Sequence, residues 1–399
     1  MRKNGVNREL REIDGGVCAP VGFRANAIHC GFTAEDGKPD LALIVAERRC
    51  PAACVYAEQS TQSGVICTTK RHMKRGLARA ILVNGGVANL FLSDGERLAE
   101  MSCRALAARS DIDCNDTVVA STGEIGREIH LGTFEKGLRP LAQGLESSEA
   151  ASLSVATTLT SGDSMPSHAA FSFDLGAFPC KIGTVFKGCT DACPTTLIFM
   201  TTDVNISSEM LQKALSLTVK DTVELLGVDG MGSPNDLVCI MANGRAANYK
   251  ISCEDTEFFK FVYALRKVLT EICHRIVKSC AEDGKVFTCK ISGAKSQQAA
   301  RLAAKKLVLS VRIRRALRKG KSDAVGILCA VNAAIDGVRL DVATVSLVGK
   351  DTEVVLYDGG AAFLVDSSTI LPIVSGEEVC LRVTLSEGNY SATALGCFS

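Results

Sequence analysis

The chain has 399 residues, 47% of them apolar, with 45 basic side chains against 44 acidic ones. That length suits two cores, the apolar fraction excludes wholesale disorder, and the charge balance argues against a nucleic-acid or membrane-surface role. Cysteines number 18 and histidines five, yet no cysteine pair has CxxC spacing and no histidines stand as HxH or HExxH. We therefore expect no metal site, and reduced thiols filling core positions in a cytoplasm. The N-terminal stretch MRKNGVNRELREIDGG is charged, so no secretion signal is read, and no apolar run reaches membrane-spanning length.

In chain order, LALIV (41–45) and AILVN (80–84) are apolar runs of strand length. Ser93-Asp94-Gly95 then opens a helix pattern with Leu98, Met101, Ala105 and Leu106 on one face. TVVA (117–120) predicts another strand, running into Ser121-Thr122-Gly123. Residues 144–170, rich in Ser, Ala and Thr, are expected to be loop-bearing. Met210, Leu211, Ala214 and Leu215 mark a helix face ending before Gly227, and longer helices are predicted over Glu257–Lys278 and Ser296–Leu309. Six basic residues between Arg312 and Lys321 have no interleaved aromatics and read as a solvated face. From residue 325 the pattern is of short strands with Gly-rich turns. The mixture, without a strict βαβ repeat, predicts an α/β, or α+β layered, fold.

Walker A, GxSxG and dinucleotide-glycine motifs are absent. Small polar groups at loop positions stand out instead. Thr122-Gly123 follows an apolar strand, where a hydroxyl and a backbone N–H can face a developing oxyanion, although most such tripeptides are plain turns. Thr195, in KGCTDACPTTLIFMTTD (187–203), is by itself equally well a β-branched residue opening a buried strand.

Several segments taken together are more specific. GVCAPVGFRANAIHCGFTAEDGKPDLALIVAE (16–47), ARAILVNGGVAN (78–89), VASTGEIG (119–126), LGVDGMGSPND (226–236) and ISGAKSQQAARLAAK (291–305) resemble, in order, landmarks of the ornithine acetyltransferase family, also called glutamate N-acetyltransferase. The resemblance implies two α/β lobes and a chain that cuts itself before a threonine, which becomes the nucleophile of the second subunit. Lys187-Gly188, Pro194 and Thr195 through Asp203 keep the places of the family's KGSGMI-x-PNMAT…TTD, with three residues missing between proline and threonine. It thus implies lobes of residues 1–194 and 195–399, the alpha and beta chains of one precursor, assembled two of each.

Carried over, Thr195 is the nucleophile and Thr122 with Gly123 the oxyanion hole. Lys187 binds substrate, with Ser161, Glu282 and Ser399 as further substrate contacts. The implied reaction is ping-pong: acetyl passes from N-acetylornithine to Thr195 and then to glutamate. No cofactor is implied, with acetyl-CoA as an alternative acetyl donor. The chain departs from the pattern at substrate contacts: SCAEDGK (279–285) sets Glu282 one place out of register, TSGDSMPS (160–167) lacks the family's lysine, and the C-terminal asparagine has no counterpart in SATALGCFS (391–399). Two other readings stay open, a self-cleaving threonine amidase or aminopeptidase of related fold, and a non-catalytic member.

Overall fold

The computed structural model describes residues 10–56, 61–160, 165–188, 195–228, 232–281 and 284–398. The chain divides into two compact units, residues 1–218 with 232–268, and residues 219–231 with 269–399. The expected boundary at Pro194/Thr195 falls inside the first unit.

In the first unit the strands are β1 (Arg11–Ile13), β2 (Phe23–Ile28), β3 (Leu41–Tyr56), β4 (Leu77–Asn84), β5 (Thr117–Ser121), β6 (Ser167–Leu175), β7 (Phe178–Lys187) and β8 (Leu197–Thr202). After the two-residue β9 (Leu226–Gly227), which belongs to the second unit, β10 (Leu237–Ala242) completes this set. Their order is β1-β6-β7-β8-β10-β3-β4-β5, with β2 also on β3. β3 serves both halves: Leu41–Val45 pairs with β2 and β4, whereas Ala52–Tyr56 pairs with β10. Between them the register on β4 shifts, around the exposed Glu47-Arg48-Arg49.

Strand alternation divides the core. Ala42, Ile44, Ile81 and Val83 join Val185, Leu197, Phe199 and Met241 in one cluster, while Leu41, Leu43, Ala80 and Leu82 join Leu106, Phe134 and Leu138 in another. β5, β8 and β10 are buried at every residue. Buried on both faces, they read in the sequence as continuous apolar runs.

The helices here are α1 (Gly64–His72), α2 (Gly95–Ala107), α3 (Leu131–Gln143), α4 (Glu149–Leu159), α5 (Ser208–Lys220) and α6 (Thr256–Cys280), the last two extending past the unit boundary. The helix predicted after Ser93 is α2, but its N-cap residue, Asp94, makes no side-chain cap bond. Residues 144–170, expected to bear loops, include α4 and the start of β6 among their described positions. Ser148 accepts the N–H of Ala151 and opens α4, and alanine favours the helix that follows.

The second unit holds α7 (Gln297–Val308), α8 (Val311–Arg318), α9 (Ala324–Asn332) and α10 (Ser367–Val374). Its strands are β9, β11 (Val286–Ala294), β12 (Thr344–Val348), β13 (Glu353–Asp358), β14 (Ala361–Ala362), β15 (Glu378–Thr384) and β16 (Tyr390–Cys397), in the order β14-β13-β12-β15-β11-β16-β9. Phe287, Ile291, Leu347, Leu381 and Val383 pack against Ala300, Ala304 and Leu307 of α7. The helix predicted at Ser296 is α7, its Ser296 side chain accepting the Ala299 N–H. The basic run forms α8, with Ile313 and Leu317 buried and Arg312 exposed against Asp323. Beyond residue 325 the short strands are present, but α9 and α10 intervene; both are apolar helices of eight or nine residues, too short for a periodic pattern to stand out.

Candidate active site

Thr122-Gly123 sits directly after β5, where β5 lies parallel to β4 and Ser121 pairs with Asn84. The Thr122 N–H donates to the Asn84 carbonyl (3.0 Å), and the Glu124 N–H to the Gly86 carbonyl (3.0 Å). The two turns are thereby held together. Gly123 has φ of 129°, and a Cβ added there would lie 2.2 Å from the Gly86 carbonyl carbon. Only glycine fits, by conformation and by space. The Thr122 side chain is buried, so this is a built turn and not a surface loop tip.

Lys187 is the last residue of β7 and is 6% exposed. Its ammonium donates to the Thr122 hydroxyl oxygen at 2.8 Å. None of the ion pairs among the described residues involves it. A buried cation without a carboxylate is costly, and an arriving anion relieves that cost.

Thr195 stands two residues before β8, at the end of the β7–β8 pair where Lys187 faces Leu197. It is 2% exposed, and its hydroxyl meets that of Ser233 at 3.0 Å. Asp236 fastens this corner: one oxygen accepts the Thr196 N–H (2.6 Å), the other the Ser233 N–H (2.9 Å). The Thr196 carbonyl accepts the Leu237 N–H at 3.1 Å, leading into the parallel β8–β10 ladder. Asn235 is 1% exposed, and among the described residues neither polar atom of its side chain has a partner. At the far end of β8, Asp203 accepts the Lys181 N–H (2.7 Å) and Thr202 donates to the Lys181 carbonyl (2.7 Å). The Thr-Thr-Asp that closes the quoted segment is thus a strand-end clamp.

Of the residues singled out from the sequence, Thr122 and Lys187 are in contact, Gly123 is continuous with Thr122, and Thr195 shares the strand end of Lys187. Ser161, Glu282 and Ser399 lie outside the described residues. Sequence reasoning missed Ser233, Asn235 and Asp236. They lay in a quoted landmark, LGVDGMGSPND, but nothing in the linear pattern couples Ser233 to Thr195, 38 residues away.

One potential ligand cluster lies elsewhere: His72, Glu100 and Cys114 bring ligating atoms within 4.8 Å of one another. Glu100 is already held, by Arg104 at 2.9 Å, Arg71 at 2.8 Å and His72 at 3.1 Å. Burial pushes its carboxyl up, but these hydrogen bonds outweigh burial and hold it at about 2. A divalent ion would have to displace two guanidinium groups, so the arrangement is an ion-pair cluster fastening α1 to α2. All 16 described cysteines are free thiols. Burial pushes Cys50 up to about 12 and Cys114 to about 11, far from a reactive thiolate. No described helix is long and apolar enough to cross a membrane.

The chain matches the ArgJ family over residues 24–398. It is 31% identical to the arginine biosynthesis bifunctional protein ArgJ of Streptococcus thermophilus, covering 97% of this chain and 96% of that one. It is 29% identical to the glutamate N-acetyltransferase of Methanocaldococcus jannaschii, again over 97% and 96%. A crystal structure of ArgJ from Bacillus halodurans aligns at 26% identity, covering 50% of this chain and 92% of that one, with a TM-score of 0.45. The chain therefore belongs to the ArgJ family, whose curated relatives are named arginine biosynthesis bifunctional protein ArgJ and glutamate N-acetyltransferase.

Proposed function

We propose that this protein moves an acetyl group from N-acetylornithine to glutamate through an ester on Thr195. The chain first cuts itself at Pro194–Thr195. The Thr195 hydroxyl adds to the Pro194 carbonyl, and the C–N bond breaks to leave an ester and a free α-amine. Water hydrolyses that ester to the Pro194 carboxylate and the Thr195 hydroxyl. A threonine hydroxyl is a poor nucleophile without a base beside it, and the cut supplies one, the α-amine of Thr195, of ordinary pKa about 7.7–8.0. The Thr195 oxygen then attacks the acetyl carbonyl, its proton passes to the amine, and the C–N bond to ornithine breaks as the leaving amine takes up a proton. The α-amine of glutamate attacks the ester and restores the threonine.

The observation that carries this reading is the buried Lys187 ammonium on the Thr122 hydroxyl. Because Nζ donates to Thr122 Oγ1, the Thr122 hydroxyl hydrogen is turned toward another acceptor, the role an oxyanion hole requires. The same buried cation, in no ion pair among the described residues, suits an acid-bearing amino-acid substrate. Ser161, Glu282 and Ser399 are proposed as additional substrate contacts. The acetyl group travels on the protein itself, so the cycle needs no organic cofactor, with acetyl-CoA as an alternative donor to Thr195. Alpha and beta chains, two of each, form the proposed assembly. A reducing cytoplasm suits 16 free thiols.

Incubation with N-acetylornithine alone tests the cycle. An acetyl adduct should appear on the peptide beginning at Thr195, and added glutamate should discharge it. An adduct discharged by water but not by glutamate would replace transfer with hydrolysis, and absence of any adduct would remove the proposal.

A further inference from the structure

The Thr195 hydroxyl has a hydrogen-bond partner that the mechanism above does not use. Ser233 Oγ lies 3.0 Å from Thr195 Oγ1, and both side chains are buried, at 1% and 2% exposure. The serine oxygen is itself fixed, since it accepts the Asn235 N–H at 3.2 Å. Asp236 ties the two backbones that carry these hydroxyls, one oxygen on the Thr196 N–H and the other on the Ser233 N–H. The two oxygens therefore meet through a short, doubly anchored corner, without long flexible side chains.

Threonine has a rotamer problem that serine at the same place shares less. Rotation about χ1 exchanges the hydroxyl for the methyl, and the wrong staggered well points carbon where the nucleophile should be. Before the cut, the nitrogen of Thr195 is an amide and is no base, so the hydroxyl has to be oriented by another group. A hydrogen bond in a dry site can favour one well by about tenfold. We propose that Ser233 is the positioning residue of the nucleophile, holding the Thr195 hydroxyl aimed at the acyl carbon in self-cleavage and in acetyl transfer. This rests on the reading of Thr195 as the nucleophile.

Ser233→Ala removes the hydroxyl while leaving the main-chain N–H that Asp236 holds, so the corner keeps both carboxylate ties. The test follows self-cleavage over time by intact mass, and separates kcat from KM for acetyl transfer, in Ser233→Ala, Ser233→Thr and Thr195→Ala. Ser233→Ala should slow cleavage and lower kcat about tenfold or more, with KM within about twofold. Ser233→Thr should recover most of both, because it returns the hydroxyl. Cleavage and kcat at the wild-type level in Ser233→Ala, or an effect confined to KM, would overturn the proposal. Should Ser233→Ala fail to fold by its melting curve, Ser233→Cys replaces it, filling the site with a weaker hydrogen-bonding group. The same slowing is expected there, and full rates would overturn the proposal equally. Thr195→Ala separates the two levels of the argument. A Thr195→Ala chain that still cuts and transfers removes the nucleophile reading, and positioning with it. A dead Thr195→Ala beside a fully active Ser233→Ala removes positioning alone.

Discussion

At Lys187 the proposed function and the stability of the fold pull in opposite directions. The residue is 6% exposed, and its ammonium donates to a neutral hydroxyl. Replacing a buried, unpaired charge by an apolar group of similar length often stabilises a fold. Lys187→Met should therefore melt at the wild-type temperature or above it, while kcat/KM falls by about 10²-fold, the order lost with one oxyanion-hole group. Thermal melting beside steady-state kinetics checks both halves; a variant that melts well below wild type would make Lys187 a structural residue. At this scale the sequence offered Thr122-Gly123 as a small polar turn after a strand, a local pattern, and its oxyanion role came only from the family resemblance. It could not show why residue 123 is glycine, since the obstructing atom belongs to Gly86, in the turn that follows the neighbouring strand β4. Ser233 was hidden for the same reason.

Between elements, α1 and α2 are joined by charge as well as by packing. Glu100 accepts from Arg71 and His72 on α1 and from Arg104 on its own helix. Its carboxyl is held at about 2 against an ordinary 4.5. A depressed carboxyl favours the folded state above the unfolded value and loses that contribution as acid protonates it, here between about pH 4.5 and 2. Glu100→Gln should flatten the fall in urea midpoint across that interval and lower stability modestly at neutral pH, the cluster being partly exposed. Equal slopes in the two proteins would contradict the assignment. Buried strands such as β5 and β8 were legible as apolar runs. Helix α4 was not, because its Ser- and Thr-rich sequence also suits a loop, and what decides is the Ser148 cap and the burial of Val155, Ala156 and Leu159. The pairing of β3 with two halves of the sheet was likewise invisible, since register depends on partners far away in sequence.

For the whole molecule, the proposed cut falls between β7 and β8, neighbours joined by register from Ile182/Thr202 to Lys187/Leu197. β10, downstream of the cut, lies between β8 and the upstream strand β3. The two products would share one continuous sheet, so the cut need not release either. Family landmarks spread along the chain made the mixed α/β class legible, whereas the division into compact units at residues 218, 231 and 268 was not. The most direct test of the account is intact mass under denaturing conditions on freshly purified protein, compared with Thr195→Ala and Thr196→Ala. The account predicts two masses, Met1–Pro194 and Thr195–Ser399, in the wild type and in Thr196→Ala, and one full-length mass in Thr195→Ala. A single full-length mass in the wild type after prolonged incubation would contradict it and leave Thr195 the residue that opens a buried strand.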